Sequence, residues 1–348
     1  MTTGLNAGTL SHLVENGVLQ IASVLTLYAR NIKIDSPTKN ALTPTEIRSL
    51  FANGNAEDVW LKTVDIVRRI SPAYDFRFAR TAFDDIVRLF HGEYPGYGSI
   101  RMPYHDLSHT LDVFLCAVRL MHGVHISGSR LADNEITMVM MAALMHDIGF
   151  VQPRGKETGS GAQYTETHVK RGIEFMRHYV VEQRFPPDFA ASLEFIIQST
   201  NYLLPFSAID FPDARARLLG QIVATADLVG QMSDRAYLEK LLLLYLEFKE
   251  AHFGGYQSFH DLLSKTQKFY GITRQKLDGD FGGIYTSLAL HFKDWFGVEN
   301  NYYMESIEKN IDYLSRVTAL SEEKHLSMLK RAGIVEKAET LIAPENLE

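Results

Sequence analysis

The chain has 348 residues, 46% of them hydrophobic, and a formal net charge of −7. That length builds one large domain or two smaller ones with a sizeable core, and the acidic balance excludes a general nucleic-acid coat. A single cysteine, Cys116, excludes an internal disulfide and a thiolate zinc site, and makes a reducing cytoplasm the simplest home.

Helical periodicity runs through the sequence, no series of alternating strands interrupts it, and an all-α fold is expected. The first apolar stretch, Val18–Ala29, is broken by Gln20, Ser23 and Thr26. It is short for a bilayer span and reads as a packed helix within 9–30. Val18–Leu27 and Asn31–Ile34 are weak extended alternatives. Helices are expected next at 44–52, 56–70 and 73–90. Thr43-Pro44-Thr45-Glu46 offers a Thr cap, Pro at the first helical position and Glu at the third. Ser71-Pro72 reads as a similar start.

The loop Gly92–Pro103 leads into Tyr104-His105-Asp106-Leu107-Ser108-His109, which opens a helix over 105–122. His105 and His109 are four residues apart and share a face that continues through Asp112 and Cys116. His122 and His125 flank Gly123 at the helix end and read as exposed. A helix over 132–148, with a start signal at Asp133, carries the apolar run Ile136–Met145 and ends in His146-Asp147. In the loop Phe150–Gln163, Arg154 and Lys156 read as solvated. Gly155-Lys156-Glu157-Thr158 lacks the upstream glycine and the strand of a phosphate loop.

Helices at 163–182 and 187–202 precede one at 213–232, whose apolar run Leu218–Val229 holds a single carboxylate, Asp227. The remaining helices are expected at 234–251, 256–270, 281–296, 301–317 and 320–332. Leu241–Phe248 is too short to cross a bilayer. The aromatic stretch from Trp295 to Met304 reads as core or as a dimer surface, so a homodimer stays open.

A carboxylate or imidazole in an apolar wall is unfavourable unless something pairs with it. One divalent cation shared by His109, His146, Asp147 and Asp227 would satisfy all four groups. Simpler alternatives exist for several of these groups and their neighbours. His105-Asp106 can be a solvated helix N-terminus, His146 a helix end opening to water, and Asp227 the partner of Arg217. Two imidazoles and two carboxylates suit Fe, Mn, Zn or Co, with Mg at a second, water-rich position.

The segments Tyr104–Val113 (YHDLSHTLDV), Ala142–Asp147 (AALMHD), Thr165–His168 (TETH) and Ala226–Leu228 (ADL) carry a resemblance. Together they resemble the HD-domain metal-dependent phosphohydrolases, and within them the cyclic-nucleotide phosphodiesterase branch, over about residues 100–232. The resemblance implies a multi-helix bundle around a metal site. Residues 91–232 would form the metal-binding core, 1–90 an N-terminal helical extension, and 233–348 helices packed on the core.

It also implies two divalent ions, from among Mg, Mn, Fe and Zn. His109, His146, Asp147 and Asp227 would hold the first, with Asp147 bridging to the second. Glu166, His168 and Asp112 would stand around the second. His105 would be the general acid, and the implied reaction opens a cyclic nucleotide by attack of a metal-bridging hydroxide. The sequence departs from the family pattern at Asp106, where Asn is usual, and at Asn201, where Asp is usual. Phe150 and its neighbours replace the family's His-Pro-Gly, and no base-gripping glutamine is identified beyond residue 232. Two other functions compete: a nucleotide phosphomonoesterase, and a regulatory protein that binds nucleotide without turnover. In each case the partner is a small phosphorylated molecule, expected to be a nucleotide, with no nucleic acid and no membrane.

Overall fold

In the computed structural model, residues 41–51 and 55–342 are described, and they belong to one unit. The expected helix at 9–30 and the two extended candidates lie outside these residues. Among the described residues there are fourteen α-helices and no strand. The first seven are α1 (Pro44–Ser49), α2 (Ala56–Ile70), α3 (Phe76–Phe90), α4 (Leu107–Ile126), α5 (Asp133–Met145), α6 (His168–Glu182) and α7 (Pro187–Gln198). The rest are α8 (Ala214–Ser233), α9 (Tyr237–Glu250), α10 (Phe259–Asp278), α11 (Ser287–Phe296), α12 (Tyr302–Thr318), α13 (Glu322–Met328) and α14 (Ile334–Ile342).

Short polar side chains set most of the helix starts. Thr43 and Glu46 form the reciprocal capping pair expected from their spacing. Asn55, Asp75, Asp106, Asp213, Ser258 and Asn301 each accept from a backbone N–H in the first turn of α2, α3, α4, α8, α10 and α12. Ser71-Pro72 does not start α3. Ser71 ends α2, Tyr74 N–H closes a turn onto the Ser71 carbonyl, and the cap falls to Asp75. Glu135 reaches back to Ala132 N–H, so Asp133 is the first residue of α5 and not its cap. Two later expectations also shift. The helix expected to stop at 270 continues to Asp278, and the one expected over 320–332 ends at Met328, with α14 starting after a turn at Ile334.

Three helices lie at the centre. α4 packs on α2, α5, α8 and α11, and α8 packs on α4, α5, α7 and α12. α5 packs on α3, α4, α7 and α8. Surrounded in this way, they are apolar nearly all round. In α5 every residue from Met138 to Met145 is buried, and α4 is buried from His109 to Val124 apart from Asp112. The aromatic stretch settles into the core. Tyr302, Tyr303 and Met304 are buried, and Tyr302 accepts a hydrogen bond from Leu42 N–H.

His122 departs from its expected exposure. α4 runs on past it to Ile126, α11 packs against it, and the ring is 2% exposed. Its Nδ1 lies 2.9 Å from Nδ1 of His291, itself buried, while His125 is half-buried. No helix among the described residues is long and apolar enough to cross a membrane.

Candidate metal centre

The ends of the three central helices bring the histidines and acids together. Asp106 caps α4 by accepting from His109 N–H at 3.0 Å, which places His105 just before the helix and His109 in its first turn. α5 ends at Met145. His146 is still helical in φ and ψ, but Asp147 is not, so the chain turns at the carboxylate and enters the short 3-10 turn Ile148–Phe150. The turn lies so close to α6 that a Cβ on Gly149 would stand 1.8 Å from the His168 carbonyl oxygen. Arg171, one turn into α6, holds it there by donating to the carbonyls of Gly149 and Val151 at 2.7 and 2.6 Å. Asp227 enters from the middle of α8.

Single ligand atoms of His109, His146 and Asp227 all lie within 4.8 Å of one another, a group that can hold a metal ion. The two Nε2 atoms are 3.3 Å apart, and Asp227 Oδ1 is 3.5 Å from that of His109 and 3.8 Å from that of His146. Asp147 Oδ2 stands 3.0 Å from His146 Nε2 and 3.3 Å from His109 Nε2. This oxygen is buried without a hydrogen-bond partner of good geometry. The other oxygen, Oδ1, lies 3.4 Å from His168 Nε2.

The tautomers follow from the outer ring nitrogens. His146 Nδ1 lies 3.0 Å from the Ala143 carbonyl oxygen, and His168 Nδ1 lies 2.7 Å from that of Thr165. A carbonyl only accepts, so both Nδ1 atoms carry a hydrogen, and each Nε2 faces a carboxylate, as a lone pair when the ring is neutral and as an N–H when it is protonated. Lone pairs and carboxylate oxygens converging on one point suit a cation, with carbonyls holding the ligand rings from behind.

Electrostatics point the same way. Burial opposes the His109 imidazolium, but the carboxylates of Asp147 and Asp227 beside it outweigh burial and lift its pKa to about 10. His146 is raised in the same way: burial opposes, and Asp147 and Asp227 prevail. Burial favours the neutral acid at Asp147, yet the imidazoles of His146, His105 and His109 hold it well below the usual carboxylate range. His168 moves the other way, because burial dominates the pull of Asp147 and keeps the ring neutral. The centre calls for positive charge. Protons on the imidazoles or a divalent cation among them can supply it.

The simpler alternatives are decided by this geometry. His146 is 1% exposed and does not open to water. Arg217 lies over the Phe206 ring, and the ion pairs of Asp227 are with His109 and His146. Asp106 does cap its helix. Of the outer residues, only His168 reaches the cluster. Glu166 is exposed. Asp112 is half-buried on α4, and its charge is felt by Lys240 and Cys116. Cys116, expected on the histidine stripe, is fully buried near Arg119 and Tyr303, and burial pushes its thiol pKa up.

Two contacts were not read from the sequence. Glu247, on α9, is buried, and its Oε1 accepts from the backbone N–H groups of Tyr104 and His105 at 2.6 and 3.1 Å. Its Oε2 lies 2.6 Å from His105 Nδ1. The signal was present, since Glu247 is the lone acid of the apolar run Leu241–Phe248, just as Asp227 is in its own. Phe150 packs against the rings of His168 and His105, with centroids 4.5 and 5.1 Å away. His105, Asp147, His168 and Asp227 line one end of a cavity of about 280 Å³.

Residues 154–276 are similar to the family described as Npun_R2479-like. The matched stretch includes His168, Asp227 and Glu247, while His105, His109, His146 and Asp147 precede it. No curated protein matches the chain.

Proposed function

We propose that the protein is a metal-dependent phosphoric-ester hydrolase, in keeping with its resemblance to the HD-domain phosphohydrolases. One observation carries the reading. A buried carboxylate oxygen of Asp147, without a hydrogen-bond donor, faces two imidazole nitrogens at 3.0 and 3.3 Å beside Asp227. His109, His146, Asp147 and Asp227 would hold the first divalent cation, and Asp147 Oδ1 with His168 would hold a second. Such a cation supplies a Lewis acid for a phosphoryl oxygen and makes water at the site more acidic.

The protein's own groups do the rest. Glu247 accepts from His105 Nδ1–H and leaves Nε2 as the free ring nitrogen of a residue on the cavity wall. Burial works against a charged His105, but Glu247 and Asp147 outweigh it and raise its pKa, which favours a second proton on the ring. It would pass that proton to the departing alcohol oxygen, a general-acid role worth about 10²–10⁴ in rate. Phe150 walls one side of both His105 and His168 and limits water there.

The test is elemental analysis of purified protein together with hydrolysis of p-nitrophenyl phosphate and bis(p-nitrophenyl) phosphate under added Mn. Asp147→Ala is expected to lose metal and activity together. His105→Ala is expected to keep metal and lose turnover by about a hundredfold or more. Full turnover by the His105 variant removes its acid role. Wild-type protein that neither retains Mn nor cleaves either ester overturns the hydrolase reading and favours nucleotide binding without catalysis. The two esters also separate a phosphodiesterase, the branch that includes cyclic nucleotides, from a phosphomonoesterase.

A further inference from the structure

The cavity that begins at the histidines and aspartates does not stay polar. Its lining includes six leucines and six phenylalanines. Several of the polar side chains along it are turned back onto the protein. Ser199 Oγ donates to the carbonyls of Ile196 and Gly220, Thr200 to that of Ile197, and Thr266 to that of Leu262. Asn201 Oδ1 accepts from Leu203 N–H, and Gln231 Oε1 accepts from the Tyr104 hydroxyl. Both lysines of the lining are engaged as well. Lys265 donates to the Gly255 carbonyl and Asp261, and Lys276 lies 4.3 Å over the Tyr202 ring. Apolar surface continues outward, where Leu203 is 56% and Tyr202 48% exposed.

A nucleobase has an edge of donors and acceptors, and burying that edge without partners loses affinity. A leucine and phenylalanine wall offers few partners and favours hydrocarbon. Resting on the hydrolase reading above, we propose that the substrate is an amphiphile, the phosphate ester of an apolar alcohol. Its phosphate would lie at Asp147 and Asp227, and its hydrocarbon would run along the cavity toward Tyr202 and Leu203. In the reaction a water oxygen bonds to phosphorus as the P–O bond to the alcohol breaks. The alcohol leaves with the His105 proton, and a proton from the water replaces it on His105.

Calorimetric titration with hexyl-, octyl- and decylphosphonate, each below its micelle concentration, tests this on Mn-supplemented protein beside AMP and cyclic AMP. Affinity is expected to rise about fourfold per added methylene until the chain fills the cavity. Both nucleotides are expected to bind at least roughly tenfold more weakly than decylphosphonate. Leu244→Trp enlarges a half-buried side chain of the wall, so the rise should level off at a shorter chain, with Mn content as the control for folding. An alkyl series that is flat in wild-type protein, or nucleotides that bind more tightly than decylphosphonate, overturns the inference. The two readings fail separately. Protein that cleaves the p-nitrophenyl esters but shows a flat series loses only the amphiphile. Protein that shows the rising series without Mn binding or hydrolysis keeps the apolar site and loses the hydrolase.

Discussion

Glu247 shows how much a single side chain decides. Its carboxylate accepts from two backbone N–H groups and from the His105 ring, so it fixes the ring's orientation and tautomer from behind. Glu247→Gln should therefore lower kcat by about 10- to 100-fold while bound Mn and KM change little. Partial recovery in Glu247→Asp, measured in the same assay, would mark a positioning role, whereas loss of Mn would mark a structural one. His122 makes a prediction about stability. Burial lowers its pKa to about 4, with Asp294 opposing and Arg69 and His125 assisting. The unfolded chain takes up this proton near pH 6.5, the ordinary value, and the folded chain only near 4. Over that window the unfolded state binds more protons, so stability is present above about pH 6.5 and is lost as pH falls toward 4. His122→Asn should flatten the fall in Tm between pH 7 and pH 5; an unchanged slope would remove His122 from the account.

At the scale of elements, the turn Ile148–Phe150 is the piece that shapes the centre. α5 has to stop for Asp147 to face His109 and His146, and the chain then has to pass under the start of α6. Only glycine fits at 149, because the His168 carbonyl occupies the space a Cβ would take. Gly149→Ala pushes backbone against backbone and should destabilise the fold by about 1–3 kcal/mol, measured by urea denaturation. It should also reduce Mn binding, because Asp147 and His168 are displaced together. A variant of wild-type stability and Mn content would show that the turn adapts. The same turn accounts for a boundary the sequence misplaced. Apolar periodicity continues through Ile148 and supported a helix to 148, but the backbone leaves α5 at Asp147.

At the scale of the whole molecule, the candidate ligands come from three helices that pack on one another: α4, α5 and α8. A cation bound only by the folded chain would tie these helices together and stabilise the fold by mass action. The gain is about 2.7 kcal/mol when free Mn is a hundredfold above its Kd. Calorimetric melting at fixed protein concentration should show Tm rising with Mn in wild-type protein and staying level in Asp227→Ala. A Tm rise of equal size in both would place the cation elsewhere.

Much of this was legible along the chain, because helices form from local patterns. The capping pair at Thr43-Glu46, the apolar runs that end or centre on His146-Asp147 and Asp227, and the His105–His109 spacing all depend on residues within a few positions of one another. Those patterns pointed to an all-helical fold, as the described residues have, and named His109, His146 and Asp227, which lie within 4.8 Å of one another, with Asp147 beside the two imidazoles. The tertiary structure alone decided which polar residues join them. Glu247 reaches His105 from 142 positions away, His122 is buried because α11 covers it, and Cys116 is buried near Arg119 and Tyr303. The apolar lining of the cavity was equally hidden, since its leucines and phenylalanines come from helices and loops far apart in sequence. Periodicity reports which face of a helix is apolar; what that face meets depends on how distant helices pack.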